Sequence, residues 1–179
     1  VFGVPVEDVT PKLRDRIKAT SYGLAYGLSP FGLSKQLDVS VAEAKELHTR
    51  YFERFGDIGR FLQEVVEEAR ESGYTETMFG RRRYFPGFSD DNRRVQEMAE
   101  RAALNAPIQG TAADIIKVAT NRVERDLRDG GFKSRLLLQV HDELVLEIAE
   151  GERSQVEELV RHAMGSAADL SVPLDVAVG

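Results

Sequence analysis

The chain contains no cysteine in 179 residues, which excludes disulfides, thiolate metal sites and a thiol nucleophile, and which fits a reducing cytoplasm. It has no uninterrupted apolar run near the roughly 20 residues that a membrane-spanning helix needs, and no signal-peptide pattern opens it, so a soluble chain is expected. No internal repeat and no low-complexity segment is visible. A basic excess is missing too: the formal net charge is −6, at first sight a poor match to a nucleic-acid partner. What remains is an ordinary globular composition, 42% hydrophobic and 30% charged, long enough to bury a core as one domain or two small lobes.

Charge distribution is more telling than its sum. Residues 11–37 hold Lys12, Arg14, Arg16, Lys18 and Lys35 against Asp15 alone, a net of +4, whereas residues 142–169 hold eight acids against Arg153 and Arg161, a net of −6. The first region suits phosphates, and the second concentrates carboxylates, some able to hold divalent cations.

Local signals order the chain. Thr10 followed by Pro11 predicts an N-cap and first helical residue, opening a helix to about Tyr26 that the Gly27-Leu28-Ser29-Pro30 punctuation ends. Ser40 and Glu43 predict a capping box before a helix at roughly 41–55. A third helix is expected from near Asp57 to Gly73. Alternating β-formers over 74–85, around Gly80, predict a short hairpin, followed by a loop at 86–89. A helix from Asp91 reaches about Ala106, where Pro107 breaks or kinks it. Thr111 with Asp114 then caps another helix that ends at Gly130-Gly131. Strand-like runs at 135–140 and 144–148 flank His141-Asp142-Glu143, an apolar hairpin with a charged bend. An acidic amphipathic helix at 152–167 and a last strand at 174–178 complete an α+β fold: a mainly helical lobe, then part of an antiparallel sheet with packed helices.

Three groups of side chains carry chemistry. Arg14, Lys18, Tyr22 and Tyr26 recur every four residues, a stripe with two cations at one end and two phenolic rings at the other. Cations suit a polyphosphate and flat rings suit a sugar or base, although an amphipathic helix with a solvated basic face gives the same pattern. Arg101, Asn105 and Gln109 fall at i, i+4 and i+8, a polar row able to reach purine N3 and pyrimidine O2 in a minor groove, or simply a solvated face. Asp142 and Glu143 are adjacent carboxylates that repel unless solvated or neutralised by cations, and hard oxygens suit Mg²⁺. A plain acidic turn is the alternative. Gln139 and His141 share one strand face by the period of two. Arg81, Arg82 and Arg83 either meet phosphates or brace the hairpin against acids. Lys12 and Arg16 read as solvent-exposed, His48 and His162 as structural, and Phe52, Phe55, Phe61, Leu62, Val65 and Val66 as core.

Residues 14–27 (RDRIKATSYGLAYG), 100–114 (ERAALNAPIQGTAAD) and 136–147 (LLLQVHDELVLE), in that order, resemble the family A DNA polymerases of the bacterial DNA polymerase I type. The likeness extends over 73–86 (GYTETMFGRRRYFP) and so covers nearly the whole chain. It implies a fingers subdomain at 1–106 and the C-terminal part of a palm at 107–179. It also implies transfer of deoxynucleoside monophosphates to a primer 3′-end with release of pyrophosphate, by a mechanism using two Mg²⁺ ions. By resemblance Arg14 and Lys18 hold the triphosphate, with Lys18 also a candidate acid for the leaving pyrophosphate. Tyr22 stacks on the incoming nucleotide, and as tyrosine rather than phenylalanine goes with ready use of dideoxynucleotides. Tyr26 lies by the templating base, Arg101, Asn105 and Gln109 touch the primer-template duplex, and Gln139 and His141 sit near the primer end. Asp142 ligates metal, supported by Glu143.

The opening VFGVPVEDV and the closing PLDVAVG resemble an internal portion of such an enzyme. The first metal-binding aspartate, within a DYSQIELR-like motif, is expected upstream of Val1, and the segment alone is expected to be inactive. The expected partners are primer-template DNA and dNTP, with no membrane, in a monomeric parent located in a bacterial cytoplasm near the nucleoid. The rival readings are a non-catalytic helical nucleic-acid-binding module, which explains the cations but not Asp142-Glu143 on a hairpin, and a helical interaction protein.

Overall fold

The computed structural model describes residues 3–179, which are mostly helical with two small antiparallel sheets of two strands each. They divide into two compact units, 1–110 and 111–179.

In the first unit, a 3₁₀ turn at Val6–Asp8 precedes α1, Pro11–Ala25, whose start follows its sequence signal: the Thr10 hydroxyl accepts from the Leu13 N–H at 3.3 Å and Pro11 occupies the first turn. A helix that the sequence reading passed over comes next, α2 at Pro30–Leu37, with the Ser29 hydroxyl accepting from the Gly32 N–H at 3.2 Å. Ser29-Pro30 repeats the grammar of Thr10-Pro11, so the punctuation that closes α1 also opens α2. Helix α3, Val41–Arg54, is capped by Ser40, whose hydroxyl accepts from the Glu43 N–H at 3.1 Å. Leu24 of α1, Leu33 of α2 and Ala44, Leu47 and Tyr51 of α3 form one core, and emptying it at Leu33 by alanine would cost about 2–5 kcal/mol.

Helix α4, Gly56–Ser72, leads into β1, Tyr74–Glu76, which pairs with β2, Arg82–Tyr84, in the register Tyr74↔Tyr84. Residues 86–89, expected as a loop, form a 3₁₀ turn, Pro86–Ser89. Leu62 and Val65 are buried as expected, but Phe55 and Phe61 are 41% and 47% exposed, because α4 buries only the narrow stripe through Leu62, Val65 and Ala69.

Of the break or kink expected at Pro107, the break does not occur. Helix α5 runs unbroken over Arg93–Asp129 with Pro107 inside it, and Thr111 with Asp114 lies within a helix instead of starting one. A proline there removes the N–H that would bond the Ala103 carbonyl, at about 3 kcal/mol in a helix interior. The cost is offset by packing: Ala103 and Ala106, on the turn that leads into the proline, are buried against Ala69 and Phe85.

In the second unit, Val123 and Leu127 of α5 pack with Val156, Val160 and Ala163 of α6, Arg153–Gly165. Leu144 and Leu146 of β4, Glu143–Glu147, lie against this core, and β4 pairs with β3, Arg135–Val140. A bulge at Leu137 interrupts the register between Leu136↔Leu146 and Leu138↔Val145. The strand expected at 174–178 is not formed. A strand exists only through a ladder to a neighbour, and no described strand pairs with this segment. The Arg161 guanidinium donates to the Val176 carbonyl instead.

Candidate functional site

Helix α1 sorts its side chains sharply. Thr20, Gly23 and Leu24 are buried, while Arg14, Lys18, Tyr22 and Tyr26 all face solvent, Tyr22 at 64% and Tyr26 at 38% exposure. The four-residue period therefore becomes one open stripe, with Tyr26 as the C-cap residue. Neither Arg14 nor Lys18 forms an ion pair with an acid among the described residues. Arg16, expected to be free in solvent, lies half-buried with its guanidinium 2.6 Å from the Glu43 carboxylate. That pairing also leaves the capping box at Ser40 half formed, since the Glu43 side chain goes to Arg16. The cations of the stripe, Arg14 and Lys18, are the two that the sequence singled out.

The end of the stripe reaches the polar row. Gly27, in the left-handed region at φ 69°, sits so close to α5 that a Cβ there would lie 2.8 Å from Leu104 Cδ1 and 3.6 Å from Arg101 Cγ. Tyr26 is thus one residue from a packing contact with the turn that carries Arg101. Along α5, Arg101 and Gln109 are exposed and Asn105 is partly buried. Because the helix is continuous through Pro107, the three stay in phase. Arg101 Nε donates back to the Glu97 carbonyl at 3.3 Å, and Asn105 Oδ1 is shielded from water without accepting a hydrogen bond.

The arginine run after Gly80 is mostly structural. Arg81 donates to the Gly110 carbonyl at 3.0 Å, beside the close approach of Thr77 to Gly110, and Arg82 pairs with Glu76 at 2.6 Å while lying over the Tyr74 ring. Arg83 stacks over Phe85. His48 is half-buried edge-on to Phe52, and burial lowers its pKa. His162 lies exposed on α6.

The hairpin of the second unit is closed by Val140 opposite Glu143, leaving His141 and Asp142 as a two-residue turn. His141 has φ 56°, a conformation costing an L-residue about 1–2 kcal/mol. The Gln139 side chain supports it by donating to the His141 carbonyl at 2.8 Å. The expectation that Gln139 and His141 share a strand face therefore fails, because His141 has left the strand and the period of two no longer applies. Asp142 lies in the turn itself, whereas Glu143 begins β4 with the parity of exposed Val145 and Glu147. Both acids are exposed and form no ion pair among the described residues. Their oxygens have the right chemistry for Mg²⁺, but no described group of three or more His, Asp or Glu residues could hold a metal ion. They can supply only part of a ligand set.

Two connections had no signal in the motifs: the Arg16–Glu43 pair and a carboxylate, Glu152, at the root of the hairpin. Glu152 accepts from the Lys133 and Ser134 N–H groups and from the Ser134 hydroxyl, and these bonds hold its pKa below the usual carboxylate value. Both are contacts across many residues, visible only once the chain is folded.

The model of DNA polymerase family A matches residues 1–179. The chain is 59% identical over 178 residues to DNA polymerase I of Mycobacterium leprae, covering 99% of this chain and 20% of that protein. It is 47% identical over 175 residues to DNA polymerase I of Streptococcus pneumoniae, covering 97% and 20%. Among solved structures, the POL domain of Pol1 from M. smegmatis, in complex with DNA primer-template and dNTP, superposes with a TM-score of 0.95 at 58% identity, over 99% of this chain and 31% of that one. The chain spans about a fifth of the length of the curated relatives it matches. On the family match along its whole length, together with the three motifs on α1, α5 and the β3–β4 hairpin, the chain belongs to DNA polymerase family A.

Proposed function

We propose that these residues are the fingers, 1–106, and the C-terminal part of the palm, 107–179, of a template-directed DNA polymerase that adds deoxynucleoside monophosphates to a primer 3′-end. The observation that carries this reading is the α1 stripe, where Arg14 and Lys18 face solvent unpaired, in line with two exposed phenolic rings. A solved relative whose POL domain is in complex with DNA primer-template and dNTP supports it.

In this mechanism Arg14 and Lys18 hold the triphosphate through charge-assisted hydrogen bonds, and Lys18 delivers a proton to the departing pyrophosphate. Tyr22 stacks on the sugar and base of the incoming nucleotide, and Tyr26 borders the templating base. Arg101, Asn105 and Gln109 donate to minor-groove acceptors that correct pairs present in nearly the same places, so geometry is checked without reading sequence. Gln139 and His141 meet the primer end. Asp142 would supply one ligand of the Mg²⁺ site, supported by Glu143. Bound Mg²⁺ supplies charge neutralisation at the reacting phosphate and a lowered pKa for the primer hydroxyl. The rest of the ligand set, including a second aspartate, belongs to a part of the polymerase outside these residues. The 179-residue segment made alone is therefore expected not to extend a primer. The parent acts as a monomer in a bacterial cytoplasm.

Primer extension by the full-length polymerase tests the reading. Lys18→Ala and Asp142→Asn should each abolish most of the turnover, with the Lys18 variant also weakening dNTP binding. Parent-level extension by both would reject it.

A further inference from the structure

Glu152, the N-cap residue of α6, joins three pieces of chain at the foot of the β3–β4 hairpin. Its carboxylate receives the Lys133 N–H at 3.0 and 3.1 Å, the Ser134 N–H at 2.9 Å and the Ser134 hydroxyl at 2.7 Å. The same Ser134 oxygen accepts from the Ala149 N–H at 2.9 Å, and the Glu152 N–H donates to the Ala149 carbonyl at 3.1 Å. Ser134 precedes β3 and is only 3% exposed, and Ala149 follows β4. Both strands therefore leave from one polar joint, flanked by the Arg135–Glu147 ion pair at 3.0 Å.

Among the described residues, little else orients the hairpin. Every β3 residue except Leu136 is exposed, so that strand is steadied by β4 and by its foot, and only Leu144 and Leu146 of β4 rest on the core. The six residues of β3 place the turn ~20 Å from the joint. At that reach a tilt of about 3° moves the tip by about 1 Å, a displacement that can cost roughly 100-fold in rate when reacting groups are involved.

We infer that Glu152 is a positioning residue for polymerisation: by gathering both strand ends and the start of α6 on one carboxylate, it aims Asp142. The inference rests on the proposed role of Asp142. Glu152→Gln keeps the size but replaces an acceptor by a donor facing N–H groups, while Ser134→Ala removes the hydroxyl's bonds to Glu152 and to Ala149 and keeps the two backbone N–H groups on the carboxylate.

The test uses the full-length polymerase with Glu152→Gln, Ser134→Ala and, as control, Asp142→Asn. In Glu152→Gln, kcat should fall about tenfold, the equivalent of one lost charge-assisted hydrogen bond, with the KM for dNTP unchanged. Amide hydrogen exchange, followed without metal, DNA or nucleotide, should accelerate in β3 and β4 and stay at the parent rate in α1. Ser134→Ala should show both effects at smaller amplitude, and it decides the matter if Glu152→Gln does not fold. Parent kcat with parent exchange in the hairpin overturns the inference, as does an acceleration shared equally by α1. An Asp142→Asn control that still polymerises rejects the role of Asp142 itself, independently of Glu152.

Discussion

Tyr22 is so open to solvent that its hydroxyl has no folding duty, and replacing it by phenylalanine should change stability by less than about 0.5 kcal/mol. Any kinetic effect of Tyr22→Phe then reports on the substrate. The full-length enzyme should use dideoxynucleotides readily and Tyr22→Phe should discriminate against them, which competitive primer extension with mixed terminators measures. Asp142→Asn should likewise leave the melting temperature unchanged, because the side chain is exposed and unpaired among the described residues. Loss of extension there would be chemical rather than structural. At this scale the sequence was most readable where spacing alone places a group: a step of four residues on a helix puts Arg14, Lys18, Tyr22 and Tyr26 on one side whatever the tertiary contacts. It was least readable where a partner lies far along the chain. Arg16, off the four-residue step, reads as a solvated cation, yet Glu43, in another helix, holds its guanidinium.

Elements were legible by their caps and misread where one signal served two purposes. Ser29-Pro30 ended one helix and began the next, and only the second role carries a side-chain bond. Ser29→Ala should therefore cost about 1 kcal/mol, seen as a lower melting temperature. A break at Pro107 was expected because propensity counts the lost hydrogen bond but not the packing of Ala103 and Ala106 just before it. The strand expected at 174–178 had the right residues but no ladder to join. The joint at Glu152 makes a prediction in pH. Its folded pKa lies below the ordinary 4.5, so its contribution to stability is complete above that value and drains away as pH falls through the folded pKa. Neighbouring Lys133 adds to the depression. Melting curves between pH about 5 and 3 should fall more steeply for the parent than for Glu152→Gln. Equal slopes would show that the carboxylate is not linked to folding.

For the molecule as a whole, fold class and family were legible because three motifs stand in fixed order along the chain. The exposed β3–β4 surface was not, because an apolar strand reads the same whether or not something covers it. Leu137, Leu138, Val140, Val145 and Ile148 all stand open to water here. The 179 residues prepared by themselves should bind a dye such as ANS, where the full-length polymerase binds less. That greasy side also sets the colloidal behaviour of such a preparation. Its particles stay apart through mutual repulsion of a net charge of −6, and dissolved ions shorten the reach of that repulsion to about 8 Å at 0.15 M. A clear solution in dilute buffer should scatter progressively more light as sodium chloride is added, and clear again on dialysis.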